Sequence, residues 1–85
     1  MDKRANKSHP NIVIGPLTLK WSTDGAGRGY MGKLGEALFI VSPVRNKWWW
    51  FCFADKTRVR EAAPTLERAT QDIRGFLTAL GIISE

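Results

Sequence analysis

Within GRGYMGKL, Gly27 is followed by four residues and then Gly32-Lys33, most of a phosphate-cradling loop. The same stretch fits a spaced-glycine dinucleotide pattern through Gly27, Gly29 and Gly32. Either use needs a strand before the loop, a helix after it and a parallel sheet around it. Leu34 stands where a hydroxyl would hold magnesium, and Pro43 breaks the β-branched and aromatic GEALFIVSP that follows. Leu34, Ala37, Leu38 and Val41 do also fit helical spacing. At 85 residues, however, the chain is too short for the further strands of a nucleotide-binding α/β domain. A hairpin loop whose amides, with Arg28 and Lys33, touch a phosphate backbone is the reading left.

The remaining reactive side chains form no constellation. His9, the single histidine, falls in a polar stretch that reads as a mobile arm, whereas a general base needs a fixed position. It therefore reads as solvated. Cys52, the single cysteine, excludes an internal disulfide and a multi-cysteine metal site. With no fixed histidine beside it, it reads as a buried structural thiol rather than a nucleophile. Asp24, Glu36 and Asp55 are scattered over loops and strand ends and make no carboxylate pair. The sequence thus predicts a non-enzymatic protein with no cofactor and no metal.

A different chemistry is written in NKWWWFCF, residues 46 to 53. On a strand, successive side chains point to opposite faces. One face would carry Lys47, Trp49, Phe51, Phe53 and Asp55, and the other Asn46, Trp48, Trp50, Cys52 and Ala54. Cysteine and alanine are commonly buried, which places Trp48, Trp50 and Cys52 in the core and leaves Trp49 and Phe51 on an open face. A bulge would reverse the assignment. Charge supports a contact surface there. The net charge is +5, with +5 carried by residues 16 to 60 and −2 by residues 61 to 85. Such a field favours an anionic partner through steering and counterion release, although solubility alone is a sufficient reason for it.

Those residues need elements to hold them. Residues 1–10 read as a flexible basic arm ending at Pro10, and residues 11–85 as one domain. Ile12, Val13 and Ile14 precede a break at Gly15-Pro16. LTLKWS then alternates cleanly, with Leu17, Leu19 and Trp21 on one side, as a half-buried strand does. TDGAGRGYMGKLG, dense in glycine, reads as a loop or wide hairpin. EALFIVSP reads as a second strand, apolar on both faces like a central strand of a covered sheet and stopped by Pro43. KWWWFCF is the third strand, and ADKTRVREAAP reads as a basic connection whose Lys56, Arg58 and Arg60 align if extended.

A helix closes the pattern. Thr65 is the N-cap, and Leu66, Ala69, Ile73, Phe76, Leu77 and Leu80 form its apolar stripe. Gly81 is the C-terminal cap, while Gly75 on the polar face has no evident role. The predicted fold is α+β: a three-stranded antiparallel sheet with one C-terminal amphipathic helix on one face, a two-layer βββα domain. No apolar run reaches membrane length and the N-terminus lacks a signal-peptide stretch, so a cytoplasmic protein without a membrane partner is expected.

Three occupants of the open face are in play. Nucleic acid, DNA or RNA, would stack on Trp49 and Phe51, with Lys20, Arg28, Lys33, Arg45, Lys47, Arg58 and Arg60 on phosphates. A protein partner or a second copy of the chain would use the same aromatics and arginines as interface anchors. Alternatively, NIVI or the basic connection folds over the patch and nothing binds.

In LTLKW, EALFIV, KWWWFCF and PTLERATQDI the chain resembles small three-strand-plus-helix proteins encoded by phages and prophages. The likeness spans residues 17 to 80 and includes a tryptophan on the first strand and the helix start Thr65, Leu66, Glu67 and Ala69. Among such folds, AP2-like domains lay an open sheet in a DNA major groove, and other phage accessory proteins bind host proteins as inhibitors or adaptors. The resemblance therefore implies a DNA-binding or a protein-binding role. The strands here are more apolar and poorer in arginine than AP2-like strands, and the glycine–tryptophan pattern differs.

Overall fold

The architecture starts from its turns. The pairs Ile14↔Leu17, Leu34↔Ala37, Val44↔Lys47 and Ala54↔Thr57 each close around two residues, which makes four tight hairpins. Three have a positive φ at the first loop position: 61° at Gly15, 64° at Gly35 and 60° at Arg45. That conformation matches the right-handed twist of paired strands. Arg45 thus occupies a position that the other two turns give to glycine.

The computed structural model describes residues 9–23 and 28–84. Most of the expected N-terminal arm, Asp24, and Gly27 of the glycine motif lie outside the described residues. The hairpins string together β1 (Ile12–Ile14), β2 (Leu17–Ser22), β3 (Gly29–Leu34), β4 (Ala37–Val44), β5 (Lys47–Ala54) and β6 (Thr57–Ala63), followed by α1 (Leu66–Ala79). Every strand is antiparallel to its neighbour in sequence, in the order β1-β2-β3-β4-β5-β6.

The protein is α+β, but its sheet has six strands rather than three. Each added strand has a physical reason. The glycine-rich stretch read as a loop contains β3, and ADKTRVREAAP, read as a connection, contains β6. NIVI supplies β1, whose Ile14 is buried on the helix side, so neither it nor the basic segment folds over the open face. Pro43 does not stop β4. The strand continues to Val44 because β3 pairs with β4 only as far as Val41, so nothing on that side needs the missing amide. The six-strand sheet also departs from the three-strand architecture that the phage-type resemblance implies.

One helix is about 10 Å wide, whereas six strands at ~4.8 Å spacing span about twice that. The uncovered part of the core face is closed by β2 itself. Its residues 20 to 22 pair with β3, but residues 17 to 19 pair only with β1. At Gly32, on the core face opposite Phe39, a Cβ would stand 2.2 Å from the Thr18 carbonyl oxygen. A strand Cβ stands out from the sheet plane. The first half of β2 therefore crosses above the sheet at Gly32, carrying β1 over the core beside the helix. Leu17, Leu19 and Ile14 are completely enclosed there with Phe39, Val41, Ile73 and Leu77.

The helix follows the sequence expectation closely. Thr65 accepts the Arg68 amide at 3.1 Å, and Ala69, Ile73 and Leu77 are buried. At the other end Ile82 donates to the Leu77 carbonyl and Gly81 to that of Thr78, a Schellman closure. Leu80, expected in the apolar stripe, is exposed because it is the C-cap and lies beyond the sheet contact. Phe76 packs against Phe39 and Trp50, with ring centroids 6.3 and 5.6 Å apart.

Candidate functional site

The strand register decides which side chains share the face opposite α1. One cross-strand row reads Lys20, Met31, Ile40, Phe51, Arg60. The row beside it reads Lys33, Leu38, Phe53, Arg58. On the other side lie Ser42, Trp49 and Ala62, with Lys47 at the start of β5. Both long rows have an apolar centre and a cation at each end. Trp50 and Cys52 point the other way, each 2% exposed, with Trp48 packed against the core margin. The alternation inferred for KWWWFCF is the one the chain adopts.

The centre of this face is greasy and open. Met31 is 43% exposed and Phe53 40%, with Leu38, Ile40, Trp49 and Phe51 half-buried between them. β4 is therefore central but covered on one side only. Leu38 and Ile40 belong to the exposed strip, which the sequence reading confined to Trp49 and Phe51. Their signal was present in the two-sided hydrophobicity of EALFIVSP, and Met31 was hidden among glycines.

The aromatics are held in place by their neighbours. Phe51 and Phe53 stack with centroids 6.0 Å apart and planes within 6°. The Arg60 guanidinium carbon lies 5.7 Å from the centre of the Trp49 ring, within cation–π range. At the margin, Ser42 Oγ donates to the Arg28 carbonyl at 3.1 Å, tying the start of β3 to β4. Arg28 and Arg45 are exposed at the ends of strands, outside the rows themselves. Lys20, Lys33, Lys47, Arg58 and Arg60 lie on the face, and no carboxylate shares it on the paired stretches of β2 to β6. Among the described residues none of these five forms an ion pair; the pair that exists, Arg68 with Asp72, is on the helix.

The other chemical motifs dissolve in the fold. No helix follows Gly32-Lys33: both sit in β3, and β4 comes next. Gly32 is required by the crossing of β2, and Lys33 points to the open face. His9 is not simply solvated; it stacks on Trp21 at 3.8 Å with planes 6° apart, and Trp21 meets Tyr30 edge-on at 5.1 Å. That ties the chain just before β1 to the helix-side margin. Burial pushes the Cys52 thiol and the Tyr30 phenol above their ordinary ranges, which makes Cys52 a poor nucleophile. Among the described residues no group of histidine, cysteine and carboxylate side chains could hold a metal ion, and no helix is long and apolar enough to cross a membrane.

Compared with known protein families, curated proteins and solved structures, the chain matches none.

Proposed function

We propose that the protein is a non-enzymatic binding module that takes nucleic acid on the open face of its sheet. The observation that carries this reading is the segregation of charge: on the paired stretches of β2 to β6, five cations and no carboxylate share the face with an apolar strip of six side chains, Glu36 and Asp55 being confined to the turns. Leaving Met31 and Phe53 in water forgoes part of the roughly 1.5–3 kcal/mol that burying a large apolar side chain yields. A face of that kind is a contact surface. Its positive rim selects a polyanion, and its π surfaces suit bases.

The same observation weighs against a symmetric dimer. An isologous interface sets a surface against its own copy, so Lys20, Lys33, Lys47, Arg58 and Arg60 would be brought together with five further cations around one two-fold axis. Like charges in a drying interface repel strongly. A cytoplasmic site of action fits this function.

The test is binding of a labelled oligonucleotide, followed by fluorescence anisotropy across a salt series. With up to five phosphates neutralised, log affinity should fall against log salt with a slope no steeper than about −3.5 for a single strand. Going from about 50 to about 200 mM salt should then weaken binding by up to roughly 100-fold. Trp49→Ala should cost about 1–3 kcal/mol of affinity, the worth of one stacked base. Absence of binding at low salt overturns the proposal. So does salt-insensitive binding, or a doubled mass by sedimentation that Phe51→Lys returns to 9.6 kDa.

A further inference from the structure

Resting on that reading, we infer that the ligand is a single strand lying along β5 and β6, not a duplex. Its bases sit face-on over Trp49, Phe51 and Phe53, and its phosphates lie against Arg58 and Arg60.

The first reason is what the strip lacks. Met31, Leu38, Ile40, Phe51 and Phe53 carry no hydrogen-bonding atom in their side chains beyond a weakly accepting thioether, and Trp49 offers one N–H. A duplex hides its base faces in the stack and shows its grooves polar base edges, which ask for donors and acceptors. Pressing this strip into a groove would desolvate those edges without pairing them. An unstacked single strand presents flat π faces instead, and apolar rings cover them with no hydrogen bond lost.

The second reason is spacing. Side chains on one face of β5 recur every second residue, roughly 6.8 Å apart. Bases within a stacked helix follow one another at about 3.4 Å. Successive aromatics on β5 can therefore take successive bases only from a chain drawn out to about twice that rise. The parallel planes of Phe51 and Phe53 already set the orientation such bases would adopt.

The third reason is the edge. β6 is the last strand of the sheet, and it places Arg58 directly opposite Phe53 and Arg60 directly opposite Phe51. Each of those aromatic positions has its own cation one strand further out. A sugar-phosphate backbone running over the free edge meets two guanidiniums for the three aromatics, Trp49 facing Ala62 and sharing Arg60 with Phe51, while the bases turn inward. Lys20 and Lys33 lie on the far bank, about 14–19 Å from β6 at ordinary strand spacing, and act only through the general field.

The test compares oligothymidines of graded length with a hairpin duplex, using the full chain at low salt and anisotropy as the readout. The expected result is affinity that rises steeply to about four nucleotides and then levels, with the duplex bound at least ~10-fold more weakly. Phe53→Leu keeps an apolar side chain at an exposed position but removes the ring. It should weaken oligothymidine binding several-fold while leaving the melting temperature unchanged. Arg58→Gln with Arg60→Gln should weaken binding more than Lys20→Gln with Lys33→Gln. Equal or tighter duplex binding overturns the single-strand inference and leaves the nucleic-acid reading standing. So does a Phe53→Leu variant that binds like the parent, or equal losses from the two cation pairs. Failure to bind either ligand overturns both.

Discussion

Replacing Gly32 by alanine tests whether this residue serves the sheet or a phosphate. The added Cβ would sit 2.2 Å from the Thr18 carbonyl oxygen and 3.2 Å from a Leu19 methyl carbon. Ordinary carbon–oxygen contact needs about 1 Å more, so the backbone of β2 must lift by that much. Leu17 and Leu19 flank Thr18 and are fully enclosed, so the lift opens packing on both sides. Overpacking of a filled core costs typically 1–3 kcal/mol, and a backbone atom yields less than a side chain would. A loss of about 2–3 kcal/mol is the expected outcome, against a total of roughly 4–13 kcal/mol for a domain of this length. In a thermal melt followed by circular dichroism, the midpoint should drop by about 10–20 °C. Lys33→Gln, one residue on and on the exposed face, should leave the midpoint in place. If Gly32→Ala melts like the parent but loses oligonucleotide affinity, the crossing of β2 has been misjudged and the glycine belongs to the ligand.

Two further outcomes follow from the same packing. Gly75 lies in the exposed middle of α1 with open space where a Cβ would be, so Gly75→Ala should stabilise the protein by about 1 kcal/mol, raising the melting midpoint by roughly 4–8 °C. Cys52 should resist alkylation at mildly alkaline pH until the protein is unfolded by denaturant. Because its thiol is raised in the folded state, the folded protein holds the proton longer than the unfolded chain. Its contribution to stability is therefore complete below the ordinary thiol range and is lost as pH climbs through and above it. Rapid native-state labelling at neutral pH, or a Cys52→Ala variant with an unchanged alkaline limb, would refute this.

How far the sequence reveals this arrangement depends on what each segment must bury. KWWWFCF is legible because the polar ends of one alternating set, Lys47 and Asp55, mark it as the solvent side. The helix is legible because its stripe, Thr65 and Gly81 agree. β3 is not: Gly29 and Gly32 look like loop residues, yet Gly32 is there because another strand passes over it. β6 escapes for a different reason. As an edge strand it needs few inward apolar residues, Val59 and Ala63, so its pattern reads as a charged linker. β1 has three residues, too short for a periodicity to show. The open strip shows only in part for the same reason, since Met31 lies on β3, and the two arginines of β6 read as part of a connection rather than as neighbours of the phenylalanines they face.

The unbroken meander bears on how the molecule reaches its shape. Each strand finds its partner across a two-residue reversal or, between β2 and β3, a short stretch of sequence, so little chain entropy is spent on distant closures. Hairpins of this kind assemble in microseconds, and topologies dominated by neighbouring pairings are quick to form. The helix follows all six strands in chain order, so the ribbon can zip before α1 docks. A ribbon without α1 would be bare above and below, and the cations of its open face would then repel a second such ribbon.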